Sequence, residues 1–199
     1  MSINRSTSTS NSSNSEDLVH KYDITSRSYD NLYRDEQYAK YSFIFDELAF
    51  GVPRVVVDVG CGTGLLIEFL REREIDNYDK YICVEPSYGM LKRLLEKKLL
   101  DHRVILVRSY GELLPIPSGV ADAVYAFTVW DNVVYKEQFV KEVLRITSPN
   151  GYVVISCIAK SRGIKPVDLL KEFEFLGCRI DCFYALYRAK ALNNSRNLD

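Results

Sequence analysis

Residues 55–64 read VVVDVGCGTG, a run of β-branched residues that leads directly into three glycines at alternate positions. The run 55–59 is typical of a buried strand in a parallel sheet, and the segment that starts at Leu65 has the apolar spacing of a helix. In open α/β sheets, ligands bind at the carboxyl ends of the strands, and glycines there let the backbone approach a ligand that a Cβ would hold away. The stretch therefore predicts a ligand-binding turn between a first strand and a first helix.

The spacing of these glycines separates two kinds of ligand. A dinucleotide-binding turn of the form G-x-G-x-x-G would need its third glycine at position 65, which is Leu65. The pattern is instead D-x-G-x-G-x-G, with Asp58 two residues before the first glycine and Glu85 21 residues after Gly64. A carboxylate at the end of the second strand can accept both ribose hydroxyls of a nucleoside. The charge of Asp58 favours a ligand that carries ammonium and sulfonium groups over a pyrophosphate.

Short β-branched runs and amphipathic segments alternate through the rest of the chain. Strands are predicted at 54–59, 81–84, 104–107, 121–127, 152–157 and 179–189. Helices are predicted at 65–73, 87–100, 135–147 (ended by residues 148–151, SPNG) and 166–176, the last with Gly177 as its C-cap. This alternation predicts an α/β fold: a single Rossmann-like, doubly wound, mainly parallel sheet with helices on both faces and a short C-terminal antiparallel strand.

The composition changes along the chain indicate one folded unit with polar ends. Residues 1–15 are rich in Ser, Thr and Asn and predict a disordered tail, whereas residues 16–50 are aromatic and predict a helical lid segment. The core is expected over 51–192 and a flexible C-terminus over 193–199. Tyr22, Tyr29 and Tyr33 share one face of the lid helix, which predicts either a cover over the ligand site or packing against the sheet.

The overall charge and the cysteines restrict the classes of partner. With 26 Lys and Arg against 27 Asp and Glu, the net charge is −1, so bulk electrostatic binding to nucleic acid or to an anionic membrane is not favoured. The basic residues on the predicted helix 87–100 alternate with acids and predict a solvated face rather than an RNA site. The five cysteines form no C-x-x-C pair, which predicts a reduced, cytoplasmic protein without structural metal. No apolar run approaches the roughly 18 residues that a membrane span needs.

Four stretches together resemble the class I S-adenosylmethionine-dependent methyltransferases, and within them the methyltransferase type 11 group of ubiquinone and menaquinone biosynthesis. They are DVGCGTG at 58–64, VEPSYGML at 84–91, GELLPIPSGVADAVYAF at 111–127 and LRITSPNGYVVIS at 144–156. The resemblance covers about residues 20 to 190. It implies that S-adenosyl-L-methionine is the cofactor.

The resemblance also implies roles for individual residues. The glycine loop would hold the methionine end of the cofactor, Glu85 its ribose, and the residues after Glu85 its adenine. The family usually has an Asp at the position of Tyr110, so Tyr110 would stack on the adenine in place of a hydrogen bond, or Gly111 would contact it through its backbone. The implied cofactor-binding residues are Asp58, Gly60, Cys61, Gly62, Gly64, Glu85, Pro86, Met90, Tyr110, Gly111, Glu112 and Phe127.

Methyl transfer from a sulfonium needs alignment more than acid–base chemistry. An acceptor of low acidity would still need a base, and Asp131 and Glu112 are candidates because both follow predicted strands. Members of this group carry a Y-D pair near the start that folds over the cofactor, and Tyr22 and Tyr29 each precede an Asp here. The catalytic candidates are therefore Asp131, Tyr22 and Tyr29. Trp130 is expected either to form a wall for the acceptor or to fill space between helices.

The end of the chain departs from the family's pattern. The family finishes with an antiparallel hairpin, but residues 179–189 contain no Gly, Pro or Asn that would turn it, so one of its two strands is expected to be short or missing. A relatively open site would follow. The leading hypothesis is methyl transfer to a small molecule, favoured over RNA or protein as acceptor. The alternatives are a non-catalytic partner subunit of the same fold, and an NAD-dependent oxidoreductase, which Leu65 disfavours.

Overall fold

A computed structural model describes residues 8–159 and 172–188. Its α-helices are α1 (Ser8–Ser42), α2 (Leu65–Glu72), α3 (Tyr88–Glu96) and α4 (Lys136–Ile146), with a π-helical turn at Phe43–Glu47 and a 3₁₀ turn at Trp130–Asn132. Its strands are β1 (Val55–Val59), β2 (Lys80–Val84), β3 (Val104–Val107), β4 (Ala121–Ala126), β5 (Thr147–Ile158), β6 (Glu174–Cys178) and β7 (Asp181–Tyr187).

The seven strands form one sheet in the order β3-β2-β1-β4-β5-β7-β6. Strands β1 to β5 pair with one another in parallel, and β7 is antiparallel to both β5 and β6. The chain reverses its direction of winding between β1 and β4, which lie side by side, so the carboxyl ends of β1, β2 and β4 meet where ligands bind in open α/β sheets. The predicted fold class is confirmed.

Apolar side chains cover both faces of the sheet. One buried cluster packs α1, α2 and α3 against it through residues that include Tyr41, Phe69 and Leu94. The other packs α4 and the 3₁₀ turn against the opposite face and includes Trp130 and Phe139. Burial on two sides explains why the central strands are nearly continuous apolar runs. Ser87 caps the start of α3, since its hydroxyl accepts a hydrogen bond from the Met90 amide (3.1 Å).

Two predicted boundaries need correction near α1 and β5. Helix α1 begins at Ser8, so the part of the predicted disordered tail from residue 8 to residue 15 is helical, while residues 1–7 lie outside the described residues. The helix ends before residues 148–151 as predicted, but the strand predicted at 152–157 begins earlier, since β5 starts at Thr147 and includes residues 148–151. Thr147 pairs with Ala121 ahead of a register shift, and a Cβ on Gly151 would lie 2.7 Å from the Ala121 carbonyl oxygen. This close approach of the two strands requires glycine at position 151.

The C-terminal hairpin corrects several further predictions. Residues 174–176 were predicted to end a helix but belong to β6, and the remainder of that helix falls largely on residues 160–171, outside the described ranges. Gly177 is not a helix C-cap: it lies in β6 with φ +128° at a register shift. Both strands of the hairpin are present, so the expectation of a short or missing strand was wrong. The predicted C-terminal segment 193–199 also lies outside the described residues.

Cys178 and Cys182 form a disulfide across this hairpin, contrary to the prediction that the cysteines are reduced. The two residues are register partners on β6 and β7, with Cα atoms 4.1 Å apart. Strand pairing thus brings together two cysteines whose sequence spacing carries no recognisable signal. Cys61, Cys83 and Cys157 are free and buried.

Among the described residues, none of the helices combines the length and the apolar character that crossing a membrane requires.

Candidate active site

The three glycines of the turn after β1 have left-handed φ angles between +55° and +79°. A Cβ on Gly60 would lie 2.3 Å from Val129 Cγ2, and one on Gly64 would lie 2.7 Å from Leu94 Cδ1. Both positions therefore require glycine because neighbouring elements pack against them. A Cβ on Gly62 would meet no atom closer than 4.0 Å, so the space in front of Gly62 belongs to the cavity.

Glu85 closes β2 beside this turn and is buried. Its Oε2 accepts a hydrogen bond from the Gly62 amide (3.1 Å) and its Oε1 accepts one from the Ser87 amide (2.9 Å). Burial raises the pKa of the Glu85 carboxyl to about 7, although the two amides oppose the shift. Each carboxylate oxygen keeps a lone pair that can accept a further hydrogen bond, and the side chain lines the cavity.

Asp58 lies beneath the turn rather than in the cavity wall. Its Oδ2 accepts a hydrogen bond from the Tyr81 hydroxyl (2.8 Å), and it is buried. Burial raises the pKa of Asp58 to about 7; the hydrogen bond from Tyr81 opposes this shift and the nearby charge of Glu85 adds to it. Cys61 and Gly64 likewise lie outside the cavity lining among the described residues. These three predicted residues therefore lie near residues of the cavity wall in sequence but are not part of it.

A cavity lies between the turn, the end of β4 and α1. Its volume is about 830 Å³, including the space at its mouth that is open to solvent. It brings together nine of the predicted cofactor-binding residues: Gly60, Gly62, Glu85, Pro86, Met90, Tyr110, Gly111, Glu112 and Phe127. Pro86 and Met90 line the cavity together with Tyr110 and Gly111 of the loop after β3. A Cβ on Gly111 would lie 2.7 Å from Phe139, so this glycine is required for packing, and Tyr110 is 40% exposed at the cavity edge.

The sequence interpretation missed several residues of the cavity wall. They are Leu18, Val19, Val59, Ser109, Thr128, Val129, Asn132 and Val133. Leu18 stands four residues before Tyr22 on α1, a helical spacing that could have identified it. The residues after β4 carried no comparable signal, because their direction depends on the 3₁₀ turn that follows.

Helix α1 covers the cavity and contributes Tyr22 and Tyr29 to its wall. The two rings meet edge to face with centroids 6.3 Å apart. The Tyr22 hydroxyl accepts a hydrogen bond from Asn132 Nδ2 (3.0 Å). Burial raises the pKa of both tyrosines, so both hydroxyls stay protonated at neutral pH.

The acids of the two Y-D pairs fasten α1 to the helices beside it. Asp23 Oδ1 accepts hydrogen bonds from the Ser87 hydroxyl (2.5 Å) and the Gly89 amide (2.7 Å) at the start of α3. Asp30 accepts a hydrogen bond from the Thr63 hydroxyl and pairs with Lys97 (2.6 Å). The acids therefore hold the helix in place while the tyrosines face the cavity.

The remaining candidates for a role in catalysis or acceptor binding are Asp131, Glu112 and Trp130, and they differ in whether they line the cavity. Asp131 Oδ2 accepts a hydrogen bond from the Ile158 amide (2.7 Å), and Asp131 does not line the cavity, so this geometry gives no support to the catalytic role predicted for it. Glu112 lines the cavity, but its Oε1 accepts from the amides of Val134 and Tyr135 (3.1 and 3.3 Å). Trp130 is only 1% exposed and fills the core, which excludes it as a wall of the acceptor site.

These residues fit S-adenosylmethionine. The space in front of Gly62 would be filled by a Cβ, the Glu85 carboxylate faces the same space, and two tyrosine rings lie across from it. Aromatic faces attract cations such as a sulfonium. No group of three or more His, Cys, Asp or Glu suited to a metal ion occurs in the part of the chain that the structure describes.

Comparison with known proteins places this geometry in one class. Residues 57–155 match the family model described as a methyltransferase domain. Two curated relatives are a malonyl-[acyl-carrier protein] O-methyltransferase of Marinomonas, 29% identical over 72% of this chain and 52% of that protein, and an uncharacterized methyltransferase of Geobacillus thermodenitrificans, 33% identical over 56% and 50%. This chain spans about half the length of these relatives.

Solved structures show the same fold. An S-adenosylmethionine-dependent methyltransferase of Methanococcus maripaludis superposes with a TM-score of 0.66 over 94% of this chain and 97% of its own, at 14% identity. One from Thermotoga maritima gives 0.63 over 85% and 98%, at 18% identity. The fold and the family model together define a methyltransferase domain. The chain belongs to the class I S-adenosylmethionine-dependent methyltransferases, and S-adenosylmethionine is the cofactor of that class.

Proposed function

We propose that this chain transfers a methyl group from S-adenosylmethionine to a small-molecule acceptor bound between α1 and the loop after β4. One observation carries the proposal: a single cavity joins the glycine turn and Glu85 on one side to Tyr22 and Asn132 on the other. The first side has the donors and acceptors of a nucleoside site. The second side has a mainly apolar wall with a few polar groups, as small-molecule sites do.

In this proposal the cofactor contacts divide along the cavity. Glu85 would accept hydrogen bonds from the two ribose hydroxyls, and the backbone of Gly60 and Gly62 would hold the methionine end. Pro86 and Met90 form one side of the adenine pocket. Tyr110 and Gly111 form its other side, where Tyr110 stacks in place of the hydrogen bond that the family's usual Asp makes. Glu112 and Phe127 complete the wall, while Asp58, Cys61 and Gly64 act indirectly by shaping the turn.

S-adenosylmethionine, when bound, supplies an electrophilic methyl group on a positively charged sulfur. The chain's own residues then have to align an acceptor with that methyl group and keep water out. Tyr22 and Tyr29 do both, since their rings cover the cavity from α1 and their faces attract positive charge by about 0.5–2 kcal/mol. Asn132 orients the Tyr22 hydroxyl, which keeps its own proton to donate toward an acceptor.

A small acceptor is favoured over a macromolecule because α1 lies across the cavity. Leu18, Val19, Val129 and Val133 give the cavity wall an apolar surface, which suits an acceptor with an apolar body. The Marinomonas relative is named for a malonyl group on an acyl-carrier protein, but this chain covers only 52% of it. The acceptor therefore has to be found by experiment.

Titration calorimetry with S-adenosylmethionine tests the cofactor site. Replacing Glu85 by Gln keeps the shape of the side chain and removes its charge, so we expect binding to weaken by about 10- to 100-fold, as for the loss of charge-assisted hydrogen bonds. Glu96→Gln, an exposed acid on α3, is the matched control and should bind like the unchanged chain. Equal affinities for all three proteins would refute the assignment of Glu85.

A non-catalytic partner subunit is the second candidate, and Tyr110 in place of the usual acid is the observation that favours it. A methyltransferase of similar fold from Haloferax volcanii was solved in complex with the Trm112 methyltransferase activator, at 18% identity and a TM-score of 0.58. Incubating the purified chain with a cell extract and methyl-labelled cofactor decides between the two. Label in the metabolite fraction supports the enzyme, whereas binding of cofactor without labelling of any fraction supports the partner subunit.

A further inference from the structure

A buried ion pair lies beside the cavity and has no part in the proposed cofactor contacts. Lys40 of α1 is fully buried, and its Nζ lies 3.2 Å from Oδ1 of Asp181, the first residue of β7, which is 1% exposed. Nζ also donates to Glu36 Oε1 (2.7 Å) and to Thr128 Oγ1 (3.0 Å). The two hydrogen bonds and the ion pair together compensate for part of the cost of burying the charges.

This pair holds a residue in an uncommon backbone conformation. Thr128 follows β4 with φ +59°, which is a genuine outlier for a β-branched side chain and has to be maintained by its surroundings. Its amide donates to Ser156 Oγ (2.7 Å), and its hydroxyl donates to Asp181 Oδ2 (2.9 Å). Ser156 Oγ in turn donates to the same Asp181 oxygen (2.7 Å). Asp181 therefore fixes both the backbone and the side chain of Thr128.

The conformation of Thr128 determines what faces the acceptor side of the cavity. Thr128 lines the cavity itself, and so do its two neighbours in sequence, Phe127 and Val129. Its carbonyl accepts a hydrogen bond from Asn132 Nδ2 (3.4 Å), and the same amide group donates to the Tyr22 hydroxyl. A continuous chain of hydrogen bonds thus runs from the ion pair through Thr128 to the tyrosine on the lid.

We propose that Lys40 and Asp181 are positioning residues for methyl transfer, which hold the loop 127–133 in the conformation that aligns the acceptor. The proposal rests on the proposed function, because it assigns a role within the same cavity. A displacement of about 1 Å in a positioning element can lower a rate about 100-fold without changing the chemistry. A buried ion pair that only stabilises the fold can instead be replaced by neutral groups with little effect.

The test replaces the pair by neutral side chains of similar size, in the double variant Lys40→Met/Asp181→Asn. We expect the affinity for S-adenosylmethionine to change by no more than about twofold. We expect kcat for the acceptor that the unchanged chain labels to fall about 100-fold. The control is Arg54→Met/Asp79→Asn, which removes an exposed ion pair near the start of β1 and should leave both quantities unchanged. An unchanged kcat in the folded double variant overturns the proposal.

Two further variants keep the test decisive if the double variant does not fold. Thr128→Val keeps the shape of the side chain but removes the hydroxyl that Asp181 and Lys40 hold, and it should lose activity like the double variant. Thr128→Ser keeps the hydroxyl and should retain activity close to the unchanged chain. A purely structural role would not produce this rescue, so equal activity of the two variants overturns the proposal.

Amide hydrogen exchange over 127–133 separates failure of this inference from failure of the proposed function. If the unchanged chain binds cofactor but labels no acceptor, the proposed function fails. The positioning role is then decided by exchange alone. If the amides of this loop exchange faster in the double variant than in the unchanged chain, while those of β1 do not, the positioning role is supported. Unchanged exchange in the loop overturns it.

Discussion

At the scale of single residues, three glycines in one turn perform different tasks. Because Gly60 and Gly64 have no side chain, Val129 packs against the first and Leu94 against the second. Gly62 instead leaves open the space that a ligand would fill. In the sequence the three glycines form one motif, because each occupies a position with a left-handed φ angle. Their separation into packing residues and a cavity residue depends on which element lies opposite each of them.

Replacing Gly62 by Ala is expected to weaken cofactor binding by about tenfold or more, because the new methyl group occupies the cavity. The substitution also strains the backbone by about 1–2 kcal/mol, since φ is +55°. Gly119→Ala is the matched control: φ is +72°, no atom lies within 4 Å of the added Cβ, and Gly119 is outside the cavity lining. Both variants should lose similar thermal stability, but only Gly62→Ala should lose affinity in calorimetry. Equal affinities would contradict the assigned task of Gly62.

Trp130 and Asp131 show where reasoning from single residues stopped. Both follow the fourth strand, and residue type alone allowed each of them to face the cavity or the protein interior. The 3₁₀ turn at Trp130–Asn132 directs Trp130 into the core, Asp131 toward the Ile158 amide and Asn132 toward the cavity. The direction of a side chain in such a short turn depends on the local helix type, which the sequence pattern does not specify.

At the scale of elements, α1 determines how closed the site is. It packs against α2 and α3 and extends across the cavity at its N-terminal end, where Leu18 and Tyr22 line the wall. A Cβ on Gly89 would lie 2.8 Å from both the Cα and the carbonyl oxygen of Asp23. Gly89 is therefore the point at which α3 permits the closest approach of the lid helix.

Gly89→Ala is expected to push α1 away from α3 and to loosen the lid. Overpacking of this kind costs about 1–3 kcal/mol, and because the contact is with backbone atoms it cannot be relieved by a side-chain rotation. Hydrogen exchange over 18–29 should become faster, and the cofactor should dissociate faster in a stopped-flow measurement. Gly51→Ala, where no atom lies within 4 Å of the added Cβ, is the control. Unchanged exchange in 18–29 would show that this contact does not hold the lid.

The disulfide in the β6–β7 hairpin leads to a second prediction about an element. It closes a short loop, since the two cysteines are four positions apart. Reduction is expected to lower the free energy of unfolding by about 2 kcal/mol, mainly by increasing the entropy of the unfolded chain. Urea denaturation with and without reductant measures the difference. Cys178→Ser should unfold like the reduced chain and be insensitive to reductant; a reductant effect that persists in this variant would assign the stabilisation elsewhere.

At the scale of the whole molecule, the site imposes a cost on folding. Burial raises the pKa of Asp58 and of Glu85 to about 7, from ordinary values of 3.8 and 4.5. Between about pH 4.5 and 7 the folded chain therefore binds more protons than the unfolded chain, and stability falls as the pH rises. Asp23 and Glu68 behave in the opposite way. Burial raises the pKa of each carboxyl, but the hydrogen bonds to it lower the pKa by more. These two carboxylates therefore stabilise the fold at neutral pH, and that stabilisation is lost only at more acidic pH.

The free energy of unfolding, measured without cofactor, is accordingly expected to decrease from about pH 5 to pH 7 and to level off above that range. The double variant Asp58→Asn/Glu85→Gln removes both titrating groups and should flatten this dependence. Urea titrations at a series of pH values provide the measurement. A stability that rises steadily from pH 5 to pH 7 in the unchanged chain would contradict the raised pKa values.

The sequence by itself determined the parallel sheet, the glycine turn and the acid at the end of β2, because strand burial, left-handed backbone and strand-end position each leave a local signature in residue type and spacing. Only the tertiary structure decided the C-terminal hairpin, the Cys178–Cys182 pairing and the link from Lys40 to Asp181 and Thr128. These contacts join residues that are distant in sequence or carry no local pattern. Strand register and the packing of α1 bring them together, and neither is encoded in any short stretch of the chain.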